Sequence, residues 1–320
     1  MLTLTLSQPA MTSPPLLLQQ PIDPTVTRLE TFHANTITLT GTLQAVRQSL
    51  DPTDPARPPD IVLRLAVYDH FAPLERRGAT PWRPAHTITL RLPRGLPLDG
   101  RALSLSPRQR VRATGYLRDH RDSLSLQTIW SALNLPDRAQ PGDAARLLST
   151  IGTQVVVESL TSLPEPLAPD GYDENDLVLD GLAQRVWSPA HSTAAQPDLG
   201  VRLATYDRYA EELPPAKAKT RRRDPYGQLP TRQAHYTTLR FPGGRTLAGE
   251  TLSLSPNAVL RVTAHLRSAP YRQSLHDALT RLRQIERLRD GDESRYVQRF
   301  AQVIVVHSCI CFGSVPFPQL

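Results

Sequence analysis

Along residues 61–68 apolar and polar side chains alternate, with Ile61, Leu63, Leu65 and Val67 on one face and Arg64 and Tyr68 on the other. Strict alternation predicts a strand with one buried face. The pattern recurs at 87–92, where Ile88, Leu90 and Leu92 point inward and Thr87, Thr89 and Arg91 outward. At 110–118 Val111, Ala113 and Leu117 oppose Arg110, Arg112, Tyr116 and Arg118. With segments near 36–46 and 153–160, the first half of the chain offers a set of five strand candidates.

The second half writes the same set again. "DIVLRLAVYDHFA" (60–72) is answered by "DLGVRLATYDRYA" (198–210), where Leu199, Val201 and Leu203 point inward and Arg202 and Tyr206 outward. "NTITLTGTL" (35–43) matches "NDLVLDGLA" (175–183), and "AHTITLRLP" (85–93) matches "AHYTTLRFP" (234–242). "LSLSPRQRVRATGYLR" (103–118) matches "LSLSPNAVLRVTAHLR" (252–267), and "TQVVVES" (153–159) matches "AQVIVVHS" (301–308). The offset grows from 138 to 149 between the second and third strands, so the second copy carries 11 extra residues there. They fall in "EELPPAKAKTRRRDPYGQLP" (211–230), whose prolines, glycine and charges mark a surface loop.

A repeat this long is a duplicated domain rather than a solenoid unit of about 20–50 residues. The expected layout is a partly disordered leader (1–34), a first domain (35–160), a proline-rich linker (161–172), a second domain (173–308) and a tail (309–320). Five short antiparallel strands per copy predict a mainly β fold of two tandem OB-fold five-stranded barrels. Gly41 and Gly181, each inside the first strand of its copy, suit a barrel corner. Each barrel carries a helical insertion between its fourth and fifth strands. In the second copy Leu275, Ala278, Leu279, Leu282, Ile285 and Leu288 recur at helical spacing before Gly291. In the first, "LQTIWSAL" predicts one short helix and "DAARLLST" a second. The apolar stripe is expected to pack on its own barrel, with a dimer contact as the alternative.

Charge adds a partner class. The chain holds 37 Lys+Arg against 30 Asp+Glu, and Lys217 and Lys219 are its only lysines. Such a balance favours an anionic partner, and arginine in particular offers a planar fork for phosphate and a flat face that stacks on bases. The outward pairs Arg64/Tyr68 and Arg202/Tyr206 are the leading candidates, the members of each pair lying about 13 Å apart at roughly 3.3 Å per residue. Phe71 and Tyr209 follow at the next turn, and Tyr236 lies on the third strand of the second copy. Arg221, Arg222 and Arg223 make the long loop a basic arm suited to drawing in a polyanion.

Enzymatic chemistry finds little support. Asp69/Asp207 and His86/His235 recur in both copies, but paired strand-end Asp and His are expected to serve turns and ladder ends. No phosphate-cradling glycine loop, nucleophile elbow or metal-spaced His/Cys set occurs, so no catalytic residue, metal or cofactor is expected. Cys309 and Cys311, one residue apart, read as strand-end residues of a reducing compartment. The first thirty residues lack a secretory pattern, and the longest apolar run, "AQVIVVHSCICF" (301–312), is too short to span a bilayer. A cytoplasmic protein without a membrane partner is expected.

In their order, "NTITLTGTL", "DIVLRLAVYD", "TPWRPAHTITLRL", "LSLSPRQRVRATGYLR" and "TQVVVESLTSL" resemble the bacterial single-stranded DNA-binding protein family. The resemblance covers 35–160 and again 173–308. It implies OB-folds that wrap single strands without sequence preference, in replication, recombination or repair. Tyr68, Tyr206, Trp82 and Tyr116 would then stack on bases, and Arg64, Arg91, Arg112, Arg202, Arg240 and Arg261 would contact phosphates. It also implies a homodimer of two-barrel chains, giving four OB-folds. RNA as the strand, and a protein-interaction scaffold without nucleic acid, stay open. This chain departs from the family's pattern in three respects. It ends "CFGSVPFPQL" where the family carries an acidic tail, Thr231 stands opposite Trp82 in the second copy, and the excursion between strands four and five is long.

Overall fold

The computed structural model describes residues 33–49, 60–71, 75–77, 80–82, 84–93, 105–164, 166–167, 171–188, 198–207, 209, 234–246, 249, 252 and 254–314. The leader up to residue 32, the basic loop with Arg221, Arg222 and Arg223, and the last six residues lie outside them.

The first copy comprises β1 (Asn35–Ser49), β2 (Asp60–Val67), a short hairpin of β3 (Glu75–Arg77) and β4 (Thr80–Trp82), β5 (His86–Leu92), β6 (Arg110–Ser125) and β7 (Leu147–Leu163). Neighbours run β1-β2-β5-β7-β6, and β6 pairs back onto β1, which closes a five-stranded barrel of the OB type. The pairings are antiparallel except for a short parallel contact of β5 with β7 at Leu90/Val155 and Arg91/Val156. The second copy closes the same way with β8 (Asn175–Trp187), β9 (Leu199–Thr205), β10 (His235–Phe241), β11 (Ala258–Ser274) and β12 (Tyr296–Ser314).

The inward rows fill both barrels. Leu63, Leu65, Val67, Ile88, Leu90 and Leu92 are buried in the first, as are Val201, Leu203, Leu239, Phe241, Val262 and Leu266 in the second. Gly41 and Gly181 mark the corners where strands cross closely: a Cβ on either would stand 2.6 Å from the Ala66 or Ala204 carbonyl oxygen. No side chain fits there, which is the physical content of glycine inside a long strand.

The two copies share one sheet. β1 lies antiparallel to β8, with Ile37 opposite Leu177 at the centre and Asn35/Leu179 and Leu39/Asn175 at the ends. This register is self-complementary, as between two related surfaces meeting across a two-fold axis. Joining them makes one ten-stranded sheet and one continuous apolar core.

β6/β7 and β11/β12 run well past the predicted strand ends, forming two-stranded arms that carry α1 (Leu126–Ala132) and α2 (Leu275–Arg281) at their tips. Ser125 and Ser274 cap the helices by accepting the Thr128 and Asp277 amides at 3.1 and 3.0 Å. Three expectations are corrected at these tips. The second helix ends at Arg281 because Arg283 turns left-handed (φ 56°), and Ile285–Arg287 forms a single 3-10 turn. "DAARLLST" is a turn around Asp143 followed by the start of β7. The apolar stripe does not pack on its own barrel: Leu275, Ala278 and Leu279 meet Leu126, Ile129 and Trp130 of the other copy in a separate small core. The arms lift these short helices off the barrels, so each finds its apolar partner in the other.

Ion pairs close the tip reciprocally. Arg287 reaches Asp143 with both terminal nitrogens, at 2.8 and 2.9 Å, while Arg138 pairs with Asp292. Both guanidiniums lie over the buried Trp130 ring, 5.8 Å (Arg138) and 5.2 Å (Arg287) from its centroid. The Arg287 hydrogen bonds hold the Asp143 carboxyl far below the usual carboxylate range. No helix among the described residues is long and apolar enough to cross a membrane.

Candidate nucleic-acid interface

An OB barrel presents its second and third strands as a curved outer face. Here those are β2/β5 and β9/β10. Alternation sends Arg64 and Tyr68 outward on the first face, where both are exposed, Tyr68 at 36%. On the second face Arg202 is exposed and its guanidinium lies 4.7 Å over the Tyr236 ring.

Ion pairing divides the predicted arginines into two groups. Arg91 is bound to Asp60, Arg112 to Glu174 (2.9 Å), Arg240 to Asp198 (2.7 Å) and Arg261 bidentately to Asp180 (2.7 Å on each arm). Their charge is already locally balanced, so they brace strands more than they attract phosphate. Arg64 and Arg202 have no carboxylate partner among the described residues, and neither does Arg185 on β8, which sequence reading missed.

The predicted aromatics divide as well. Tyr116 and Tyr209 stack face to face across the seam between the copies, centroids 3.8 Å apart, and the Tyr209 hydroxyl donates to Glu158. At the matching place Phe71 lies parallel to His265 (4.3 Å) and against His307 (4.0 Å). These rings are engaged with protein, and Asp207 and Asp69 fix the turns that bring them there by accepting the Tyr209 and Phe71 amides at 2.9 and 3.1 Å. Tyr206 is half-buried beside His33, whose ring meets it edge-on at 5.8 Å. Trp82 ends β4, and the basic triplet Arg221, Arg222 and Arg223 lies outside the described residues.

His86 and His235 keep to structural company, as expected of paired strand-end residues. His86 lies 3.9 Å from Asp69, and His235 lies 3.1 Å from Asp119 and 3.7 Å from Asp207. Burial lowers the His86 pKa against the pull of Asp69. His265 is pushed down to about 3 by burial, with His307, His86, Arg267 and His70 adding to the effect. Among the described residues no group of three His, Cys, Asp or Glu is placed to hold a metal, and neither Cys309 nor Cys311 forms a disulfide.

The residues that sequence reading missed sit at the end of β8. A bulge between Ala183 and Arg185 resets the strand phase, so that Arg185 stands opposite Arg202 and Trp187 opposite Gly200 on the outer face. A Cβ on Gly200 would come within 2.5 Å of the Trp187 ring, so the absent side chain is what lets the indole lie flat on β9. Trp187, Arg185, Arg202, Tyr236 and Thr238 line a half-open cavity of about 290 Å³, closed on one side by Ile151, Gly152 and Thr153 of β7. The alternation in "QRVW" (184–187) was the available signal, but the bulge that decides its phase was not readable.

No family model and no curated protein matches the chain. Among solved structures, a deletion mutant of the single-stranded DNA binding protein from Thermus aquaticus is similar with a TM-score of 0.47 and 15% identity, over 90% of this chain and 99% of that one. The wild-type form gives a TM-score of 0.45 and 15% identity, over 91% and 98%. The N-terminal domain of the PriB protein from Thermoanaerobacter tencongensis gives a TM-score of 0.21 and 18% identity, over 41% and 98%. At these scores and identities they stand as similarities alone.

Proposed function

We propose that the protein binds single-stranded DNA without sequence preference along the outer faces of its two barrels, protecting or organising it in replication, recombination or repair. The carrying observation is that surface rings share a face with guanidiniums that lack carboxylate partners among the described residues: exposed Tyr68 with Arg64 on one face, half-buried Trp187 and Tyr236 with Arg185 and Arg202 on the other. Rings stack on any base, at about 1–3 kcal/mol each, and uncompensated arginines add a salt-dependent phosphate term. Arg185 opposite Arg202 supports the same reading. Like charges directly across a ladder repel, and a bound phosphate turns that repulsion into attraction.

The test is a titration of labelled oligo-dT, oligo-U and duplex of equal length at two salt concentrations. Tight oligo-dT binding that weakens with salt, with duplex far weaker, supports the proposal. No binding to any single strand at low salt refutes it, and oligo-U binding equal to oligo-dT moves the reading to single strands of either sugar.

A further inference from the structure

The two outer faces are not equivalent, although the strands that build them are copies. Aligned along the repeat, Trp187 stands where the first copy has Arg47, Gly200 where it has Val62, Arg185 where it has Ala45, and Tyr236 where it has Thr87. Arg202, matching Arg64, and Thr238, matching Thr89, are common to both. The changes form a set: an indole can lie on β9 only if Gly200 is bare, and the first copy, with a valine there, has no tryptophan to accommodate.

The arm of the opposite copy differs in the same direction. On the second face Gly152 and Thr153 of the first copy's β7 leave the cavity open, with Ile151 exposed at its rim. On the first face the position matching Thr153 is Gln302, whose side-chain amide donates to the Thr89 carbonyl at 3.0 Å and bridges the corresponding space.

We infer that a built nucleotide pocket lies on the β8–β10 face of the second copy, completed by β7 of the first. A base stacks against Trp187 and Tyr236, and its phosphate lies between Arg185 and Arg202. A cavity of about 290 Å³ is at the small end of ligand pockets, which run roughly 300–1,000 Å³, and suits one nucleotide of a strand continuing past it. The first face then serves as a weaker, mainly electrostatic track through Arg64. This inference rests on the single-strand reading and says which part of the surface holds the strand.

The experiment compares the full-length protein with Tyr236→Ala, Trp187→Phe and Gly200→Val, and with Arg47→Ala and Thr87→Ala on the first face, for oligo-dT binding by anisotropy. Tyr236→Ala removes a half-buried surface ring and Trp187→Phe keeps an aromatic, so both leave the core intact; unfolding midpoints confirm this for each variant. Loss of one stacked base is expected to weaken binding about 10-fold with little change in salt slope. Gly200→Val, by displacing the indole, acts like loss of that ring. The first-face variants change affinity less than about 3-fold. Tryptophan quenching by oligo-dT is retained in Tyr236→Ala and largely lost in Trp187→Phe, and an oligonucleotide with an abasic site at the bound position reproduces the stacking loss. Equal losses on the two faces, or full affinity in both Tyr236→Ala and Gly200→Val, overturn the pocket while leaving single-strand binding in place. A wild-type chain that binds no single strand overturns the function itself.

Discussion

Asn35→Ala tests how the two copies are locked together. β1 pairs with β6 only from Thr42/Arg110 to Ile37/Gly115, so Leu117, two residues on, has no strand partner on that side for its backbone groups. The Asn35 side chain supplies one, acting as a detached peptide group. Its Nδ2 donates to the Leu117 carbonyl at 2.8 Å, and its Oδ1 accepts the Leu117 amide at 2.9 Å. The same Nδ2 also donates to Asp207 of the other copy. Asn35, Leu117 and Asp207 are all buried. Truncation strands two backbone groups, at about 1–3 kcal/mol each. Asp207 loses less, since it still accepts the Tyr209 amide. The expected cost is about 3 kcal/mol, and at roughly 2–4 °C per kcal/mol the melting point falls by about 6–12 °C. Asn175 makes the mirror set with Leu266 (2.8 and 2.9 Å) and Asp69 (2.6 Å), so Asn175→Ala is expected to cost the same within about 0.5 kcal/mol. Urea unfolding followed by circular dichroism gives both numbers. A loss below about 1 kcal/mol in either variant would show that water replaces the amide, and would sink the idea that these asparagines lock the seam.

Three more predictions follow from the same geometry. His265 has its pKa lowered from the unfolded value of 6.5 to about 3, so between those values the unfolded chain binds more protons and stability falls as the pH drops. The cost is about 2 kcal/mol at pH 5, and His265→Phe should flatten the stability profile between pH 7 and 5. At the arm tips, Arg287→Ala leaves the buried Asp143 with Arg146 and the Gln140 amide and is expected to cost about 3 kcal/mol at neutral pH. Because the Asp143 pKa is depressed, its contribution is full above the ordinary carboxylate value and is lost as pH falls below it, so wild type and Asp143→Asn should converge in acid. Arg108 and Arg283 adopt left-handed backbone (φ 73° and 56°), where the matching positions of the other copy hold Asn257 and Asn134 in the same conformation. Replacing either arginine by asparagine should raise stability by about 0.5–1 kcal/mol in urea titrations, and no gain would mean the turn imposes no strain.

The sequence by itself determined the units. Period-two alternation at Ile61–Val67 and Ile88–Leu92, written again at Leu199–Leu203 and Leu239–Phe241, is a local property of strands with one wet face, and it named the barrels and most of their inward rows. It also named Arg64, Tyr68 and Arg202 as outward residues, and these are exposed, while Tyr206, named with them, is half-buried. What lay beyond it were contacts between distant segments. Only the tertiary structure joins β1 to β8 in one sheet, turns the helical stripe of one copy onto that of the other, and takes Tyr116, Tyr209 and Phe71 into the seam. It also gives Arg91, Arg112, Arg240 and Arg261 carboxylate partners 31, 62, 42 and 81 residues away. Trp187 and Arg185 depended on a one-residue bulge and a missing side chain at Gly200. Alternation tells which way a strand residue points, but a bulge resets that phase, and which ring or cation stays open to a ligand depends on what the fold brings against it.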